Sequence, residues 1–178
     1  VSGDYLVRLD DPTTLAMVAL DAEGSPQYAF YNERGADRGL TREHLPELDD
    51  RIRGIHIGSY ALVVSPTAET IQALVERESE RRLISLDPNI RLKIEPDLER
   101  WRERIETLAQ VAHILKVSEE DLEALYGGRT PEEVAAGWLS ARCRLVIMTR
   151  GEKGVVAFSQ AHGRAQLAAC PVEMVDAV

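Results

Sequence analysis

The nine residues "LISLDPNIR" (83–91) show the pattern on which the fold of this 178-residue chain depends. A short apolar run, with the composition of a buried β-strand, ends directly in a group of polar residues. The same pattern recurs along the chain, which indicates several strands of one kind. The other runs are "IHIG" (55–58), "AHILKV" (112–117) and "RLVIMT" (144–149).

Segments with helical spacing of apolar residues fill the gaps between these runs. They cover residues 66–82, 97–110 and 131–142. Strand–helix–strand alternation of this length is typical of right-handed crossovers between parallel strands. The sequence therefore predicts an α/β fold, a three-layer parallel sheet with helices on both faces.

The amino-terminal region has a different pattern, which predicts a β-hairpin. Two apolar runs, "TLAMVALD" (14–21) and "QYAFY" (27–31), flank a turn rich in Gly and Pro. We assign residues 13–40 to the hairpin and its exit loop, and residues 41–178 to the α/β core. After Gly151, the runs "GVVAF" and 165–178 predict a second antiparallel excursion.

The composition limits the classes of partner. With 44% hydrophobic and 29% charged residues the chain has the composition of a soluble globular protein. A net charge of −9 argues against nucleic-acid binding, which depends on clustered Lys and Arg. No apolar run approaches the ~18 residues of a membrane helix, and Cys143 and Cys170 form no disulfide-rich pattern. We expect a cytoplasmic protein with no membrane partner.

The carboxyl ends of parallel strands are where α/β proteins bind ligands. At these ends, "LDPNIR" (86–91) offers a carboxylate, an amide and a guanidinium, although Asp87 can instead cap a turn beside a solvated Arg91. In "TRGEKG" (149–154) the two glycines allow backbone N–H groups to approach a phosphate, or simply permit a tight turn. The segment is neither a P-loop nor a dinucleotide fingerprint.

The segment "KVSEEDLEALYGG" (116–128) also has two interpretations. Ser118 and Asp121 have the spacing of a capping box, which opens a helix that Gly127 and Gly128 end. The same two residues also suit a cluster of Mg²⁺ and phosphate, because hard cations prefer oxygen ligands. The four histidines show no spacing of metal ligands.

Together these segments resemble the ribokinase-like (pfkB-type) carbohydrate kinases, and the fructokinase branch most closely. The resemblance runs in order along the chain: residues 12–41 are similar to the family's lid hairpin and exit loop, and "HIGSYAL" (56–62) to a fructokinase strand and turn. Three further segments resemble family motifs: "SLDPNIR" (85–91), "KVSEEDLEALYG" (116–127) and "VIMTRGEKGVVAF" (146–158).

The resemblance implies an ATP- and Mg²⁺-dependent kinase that phosphorylates a small sugar, most simply fructose. It implies sugar contacts from the lid and from the segment after the strand at 83–87, and nucleotide contacts from later strand ends. It also implies water-mediated metal binding by Asp121, and a homodimer formed through the lid. The implied sugar-binding residues are Ala16, Val18, Phe30, Asn89 and Arg91; the implied nucleotide-binding residues are Lys116, Ser118, Thr149, Gly151 and Gly154.

The resemblance also implies that the chain is the middle part of a longer enzyme. In the family a segment like "VDAV" (175–178) leads into a helix that carries the anion hole and the catalytic base. We therefore expect the base beyond Val178, no catalytic residue within the chain, and no activity from this fragment alone. Two alternatives stay open: another acceptor of the family, 2-keto-3-deoxygluconate or a nucleoside, or a non-catalytic module that binds a sugar or a nucleotide.

Overall fold

The computed structural model describes residues 3–21 and 26–168, and these ranges contain eight strands in two sheets. One sheet is a two-stranded hairpin near the amino terminus, and the other has six strands. The strands are β1 (Leu15–Leu20), β2 (Pro26–Tyr31), β3 (Gly54–Gly58), β4 (Leu83–Asp87), β5 (Ile114–Ser118), β6 (Leu145–Thr149), β7 (Val155–Ser159) and β8 (Gly163–Leu167).

The six-stranded sheet follows the order of the chain, β3-β4-β5-β6-β7-β8. Strands β3 to β6 are parallel, with Ile57 beside Leu86 and Val117 beside Met148. Strands β7 and β8 turn back and pair antiparallel, which is the second antiparallel excursion that the sequence predicts. The predicted α/β class with an added β-hairpin is confirmed.

Four α-helices lie between the strands. Three of them begin at a side-chain cap; at two of these, Asp97 accepts hydrogen bonds from the Glu99 and Arg100 amides, and Thr130 forms a capping box with Glu133. The helices are α1 (Thr67–Glu78), α2 (Leu98–Ala109), α3 (Glu119–Tyr126) and α4 (Pro131–Trp138).

Two helices end earlier than the sequence predicts. The helix expected to reach residue 142 ends at Trp138, because the Ser140 hydroxyl group accepts the amides of Arg142 and Cys143 and forms a turn. The helix expected to reach residue 82 ends at Glu78. In both places a local turn replaces the last helical hydrogen bonds.

The core lies between the helices and one face of the large sheet. Along β4 to β7 the buried and half-buried side chains alternate, as the two-residue repeat of a strand requires. Buried strand residues such as Leu115 and Val146 share one cluster with Trp101, Leu122 and Trp138 from the helices. Helices and strands therefore share one continuous core.

The hairpin forms where the sequence predicts it. Its register places Ala16 beside Phe30 and Val18 beside Tyr28. The predicted turn at residues 22–25 lies outside the described residues, as do Cys170 and the segment "VDAV". The division into a hairpin region and a core at residue 40 stays a prediction. Within the described ranges, no helix is long and apolar enough to cross a membrane.

A buried ion pair closes the amino-terminal edge of the sheet. The carboxylate of Glu78 and the guanidinium of Arg82 pair at 4% and 5% exposure. The same guanidinium donates to the carbonyl groups of Leu48, Asp49 and Ile52, which fixes the segment before β3. Glu78 also pairs with Arg77 at 2.7 Å, so the loss of Arg82 removes the fully buried one of its two cationic partners.

We expect Arg82→Met to lower the free energy of unfolding by about 2 kcal/mol or more, because Glu78 keeps only Arg77 as a cationic partner and three carbonyl groups lose their donor. The matched variant Arg81→Met breaks an exposed pair with Asp50 and should cost less than about 1 kcal/mol. Urea unfolding of both variants measures the difference. Equal losses would contradict the assignment of a buried pair.

Candidate functional site

The parallel register brings the carboxyl ends of β3 to β6 to one edge of the sheet. Gly58 at the end of β3 lies beside Asp87 at the end of β4. Ser118 at the end of β5 lies beside Thr149 at the end of β6. The segments that the sequence singles out as candidate ligand contacts therefore meet along a single edge.

An ion pair joins two of these strand ends. The Nζ atom of Lys116 lies 2.9 Å from Oδ2 of Asp87, and both side chains are partly buried. The other oxygen of Asp87, Oδ1, is buried and has no hydrogen-bond partner among the described residues. The sequence predicts a nucleotide-side role for Lys116, but its pairing with Asp87 was missed because 29 residues separate them.

Asp121 lies in the first turn of α3 and reaches the segment after β4. Its Oδ1 accepts the Ile90 amide at 3.2 Å, while its own amide donates to the Ser118 hydroxyl group at 3.0 Å. Of the two hydrogen bonds of the predicted capping box, the one from the Asp121 amide to the Ser118 side chain is present. The other is wrong, because the Asp121 carboxylate accepts the Ile90 amide and not the Ser118 amide. Burial raises the pKa of Asp121, and the hydrogen bonds from Ser118 and Ile90 act against that rise.

Asn89 and Arg91 lie in the same segment but face different spaces. Asn89 has a φ of +42°, a conformation that Asn tolerates better than most residues. It lines a cleft of about 210 Å³ with His56 and Asp87. The Arg91 guanidinium donates to the carbonyl oxygens of Asn89 and Ile90, so it is held and not freely solvated.

A larger cleft, of about 370 Å³, brings together residues from the hairpin, the segment after β4 and helix α3. Phe30, Arg91 and Asp121, three of the predicted site residues, line it together. The remaining lining residues are Gln27, Tyr28, Ile90, Leu92, Lys93, Glu120 and Ala124.

Two hydrogen bonds from Lys93, which no local pattern predicts, tie the hairpin to this cleft, and the longer one reaches Gln27 Oε1 at 3.4 Å. The Nζ atom of Lys93 donates to the Tyr28 carbonyl group at 2.9 Å. Ala16 and Val18 lie on the same face of the hairpin as Phe30, because directly paired residues point the same way. Both are exposed, whereas Phe30 is half-buried.

The predicted nucleotide residues form a second group at β6. Gly151 and Gly154 have φ values of +51° and +86°, so glycine is needed at both positions of this turn. An ion pair of 3.1 Å between Lys153 and Glu119 connects the turn to α3. Thr149 and the two glycines thus lie next to Ser118, one strand away from the larger cleft, and do not line it.

The described residues contain no group of three or more His, Cys, Asp or Glu side chains that could hold a metal ion. Mg²⁺ is commonly held by one or two carboxylates together with substrate phosphates and water. A single carboxylate such as Asp121, with a pKa raised by burial, fits that mode of binding, since a nearby cation favours its charged form. The chemistry of the site is therefore compatible with the predicted Mg²⁺.

The fold and the site are those of an α/β protein with a hairpin-covered cleft at the carboxyl edge of its sheet. The family profile described as pfkB family carbohydrate kinase matches residues 1–178. The chain belongs to this family.

Two relatives match the chain, one in sequence and one in fold. The fructokinase of Rhizobium leguminosarum bv. trifolii is 38% identical over 149 residues, which cover 84% of this chain and 45% of that protein. The crystal structure of fructokinase from Xylella fastidiosa superposes with a TM-score of 0.81 at 24% identity, over 92% of this chain and 54% of that one.

A second solved structure carries ligands. A putative ribokinase II from E. coli, in complex with ATP and Mg²⁺, superposes with a TM-score of 0.75 at 25% identity, over 94% of this chain and 53% of that chain. The chain spans about half the length of the relatives that it matches.

We expect Asp121→Asn to fold at least as stably as the wild type at pH 7. Since the folded-state pKa is raised, the carboxylate disfavours folding above that pKa, and this penalty disappears as the pH falls below the unfolded value of about 3.8. The stability difference between the two proteins should therefore shrink as the pH falls from 7 to about 4.

Urea unfolding across this pH range measures the difference. Glu120→Gln is the matched control, because it removes one carboxylate from the same cleft. The free energy of unfolding of Asp121→Asn is compared with that of the wild type at each pH. If the variant gains less at pH 7 than at pH 4, burial does not raise the pKa of Asp121.

Proposed function

We propose that the full-length protein is an ATP-dependent sugar kinase that transfers the γ-phosphoryl group to a hydroxyl group of fructose. Membership of the family and 38% identity to a fructokinase support the reaction class and the sugar. The observation that carries the proposal is the shared cleft of Phe30, Arg91 and Asp121 beside the Lys116 strand end.

In this proposal the hairpin covers the acceptor sugar. Phe30, with Ala16 and Val18 on the same face, gives an apolar cover that keeps water from competing for the phosphoryl group. Arg91 lies on the opposite wall of the same cleft, where a guanidinium suits the oxygens of a sugar or a phosphate. Asn89 would contact the sugar from the neighbouring cleft that it lines with His56 and Asp87. The segment between β4 and α2 thereby orients the acceptor against the lid.

The triphosphate is proposed to bind along the ends of β5 and β6. Lys116 supplies a positive charge, the Gly151–Gly154 turn supplies backbone donors, and Ser118 and Thr149 supply hydroxyl groups. When bound, Mg²⁺ would neutralise phosphate charge and orient the transfer, and Asp121 would hold it through water. Asp87 keeps the Lys116 ammonium in place at the strand end.

The general base is proposed to lie in the full-length protein outside these 178 residues. Phosphoryl transfer depends mainly on positioning and on electrostatic stabilisation, which need both walls of the site. For this reason the 178-residue fragment alone is proposed to be inactive.

We also propose that the hairpin contributes to a homodimer. On the face opposite Phe30, the side chains of Leu15, Met17 and Tyr31 are 55%, 56% and 64% exposed. A contiguous apolar surface of this kind is typical of a contact with another protein. A second copy of the chain suits it, because two such hairpin faces match each other in polarity.

The test of the proposed function is a phosphoryl-transfer assay of the full-length protein with ATP, Mg²⁺ and a panel of acceptors. We expect turnover with fructose, and lower kcat/KM with 2-keto-3-deoxygluconate and with nucleosides. If the protein prefers 2-keto-3-deoxygluconate or a nucleoside, fructose is not its substrate and the reaction class stands. Binding of a sugar or ATP without any transfer would favour the non-catalytic alternative.

We expect Lys116→Met to lower kcat/KM for ATP by about 100-fold, as removal of one electrostatic group from a phosphate site does. The variant also leaves Asp87 unpaired, so the double variant Asp87→Asn, Lys116→Met is needed to separate folding from activity. It should recover thermal stability without recovering activity.

The control for the loss of one positive charge is Arg51→Met, at a side chain that is 84% exposed. Full activity of the double variant would exclude Lys116 from the nucleotide site.

A further inference from the structure

We propose that Tyr60 is a positioning residue that sets the hairpin over the cleft. This inference rests on the proposed kinase function, because it assigns to Tyr60 the placement of the lid residue Phe30. Tyr60 is absent from the predicted site residues and does not line the larger cleft. Its effect on the reaction would therefore pass through the hairpin.

The position of Tyr60 follows from the end of β3. The strand ends at Gly58, and a short 3₁₀ helix, Ser59–Leu62, carries Tyr60 beneath the hairpin. The rings of Tyr60 and Phe30 meet edge to face, with centroids 6.3 Å apart and planes at 61°. This geometry is a favourable one for two aromatic rings.

The hydroxyl end of Tyr60 lies among residues that flank the hairpin on both sides. Thr14 immediately precedes β1, Asn32 immediately follows β2, and Asp37 lies in the exit loop. Burial raises the pKa of Tyr60, and the neighbouring Asp37 carboxylate raises it further. The Thr14 hydroxyl group in turn donates to the Asp37 carboxylate. One cluster therefore joins the residues at which the chain enters and leaves the hairpin.

The cluster is anchored to the core of the protein through Thr67, the first residue of α1. The Thr67 hydroxyl group donates to the Asp37 carbonyl oxygen at 3.0 Å and accepts the Leu40 amide at 3.1 Å. Thr67 is 3% exposed, so this anchor cannot move independently of the helix. Tyr60 and Asp37 thus connect the hairpin to two separate elements of the core.

The cluster leaves one donor and one acceptor without a partner. Asn32 is 7% exposed, and within the described ranges its Nδ2 atom has no hydrogen-bond partner; the same holds for Oδ2 of Asp37. Buried polar groups are normally paired, so the hydroxyl groups near these two atoms are the nearest sources of compensation for them. Both residues are neighbours of the Tyr60 hydroxyl group.

Tyr60→Phe tests this role, since it removes the hydroxyl group and keeps the ring against Phe30. Tyr126→Phe is the matched control: Tyr126 is also half-buried, and its hydroxyl group donates to Glu106, away from the hairpin. Both variants are made in the full-length protein. Each loses one hydroxyl group, but only Tyr60→Phe loses one beneath the hairpin.

The first measurement is amide hydrogen exchange, which needs no activity. In Tyr60→Phe we expect the amides of β1 and β2 to exchange about fivefold faster, with β5 unchanged, because the variant loses the hydroxyl group beside Thr14, Asn32 and Asp37. Tyr126→Phe should leave the hairpin amides unchanged. Unaltered hairpin exchange in Tyr60→Phe, or equal acceleration throughout the molecule, would overturn the proposal.

The second measurement is the ratio of ATP hydrolysis to sugar phosphorylation. A misplaced lid admits water, so this ratio and the KM for the sugar should both rise about fivefold in Tyr60→Phe and stay constant in Tyr126→Phe. A wild-type protein without kinase activity would refute the proposed function. The hydrogen-exchange result would still test the role of Tyr60, because it does not depend on activity. An active wild type with the same ratio in both variants would refute the role of Tyr60 alone.

Discussion

The parallel pairing of β3 to β6 is the constraint on which the rest of the structure depends. Since the four strands run in one direction, their carboxyl ends lie at one edge, and the loops that follow them have to meet there. The crossover helices pack on the sheet and hold these ends in register. A reversed strand would place its loop at the far edge and divide the site.

Electrostatics at this edge follow from burial. Asp87 and Lys116 lie partly buried on neighbouring strands and neutralise each other, while Asp121 has a raised pKa because of its surroundings. Charged groups held away from water lower the free energy of unfolding of the protein. A cationic or anionic ligand that binds the folded state raises it again. The proposed ATP and Mg²⁺ offer charges of both signs, which fits a kinase of this family.

Much of the fold could be predicted because its signals are local. The apolar runs predicted β4 to within its observed bounds, and the helical segment that opens at Pro131 predicted the start of α4. Helix ends were predicted less well, since the turn at Ser140 depends on a side chain that accepts two amides. The shared cleft of Phe30, Arg91 and Asp121 agrees with family resemblance, which carries three-dimensional information that periodicity lacks.

The sequence by itself determined the α/β class, the hairpin and the family, because strand periodicity, turn residues and motif order are properties of neighbouring residues. Only the tertiary structure decided that Lys116 pairs with Asp87, that Asp121 caps Ile90, and that Tyr60 lies under the hairpin. Each of these contacts joins residues about 30 positions apart. Their partners are chosen by strand order and helix packing, which no local pattern specifies.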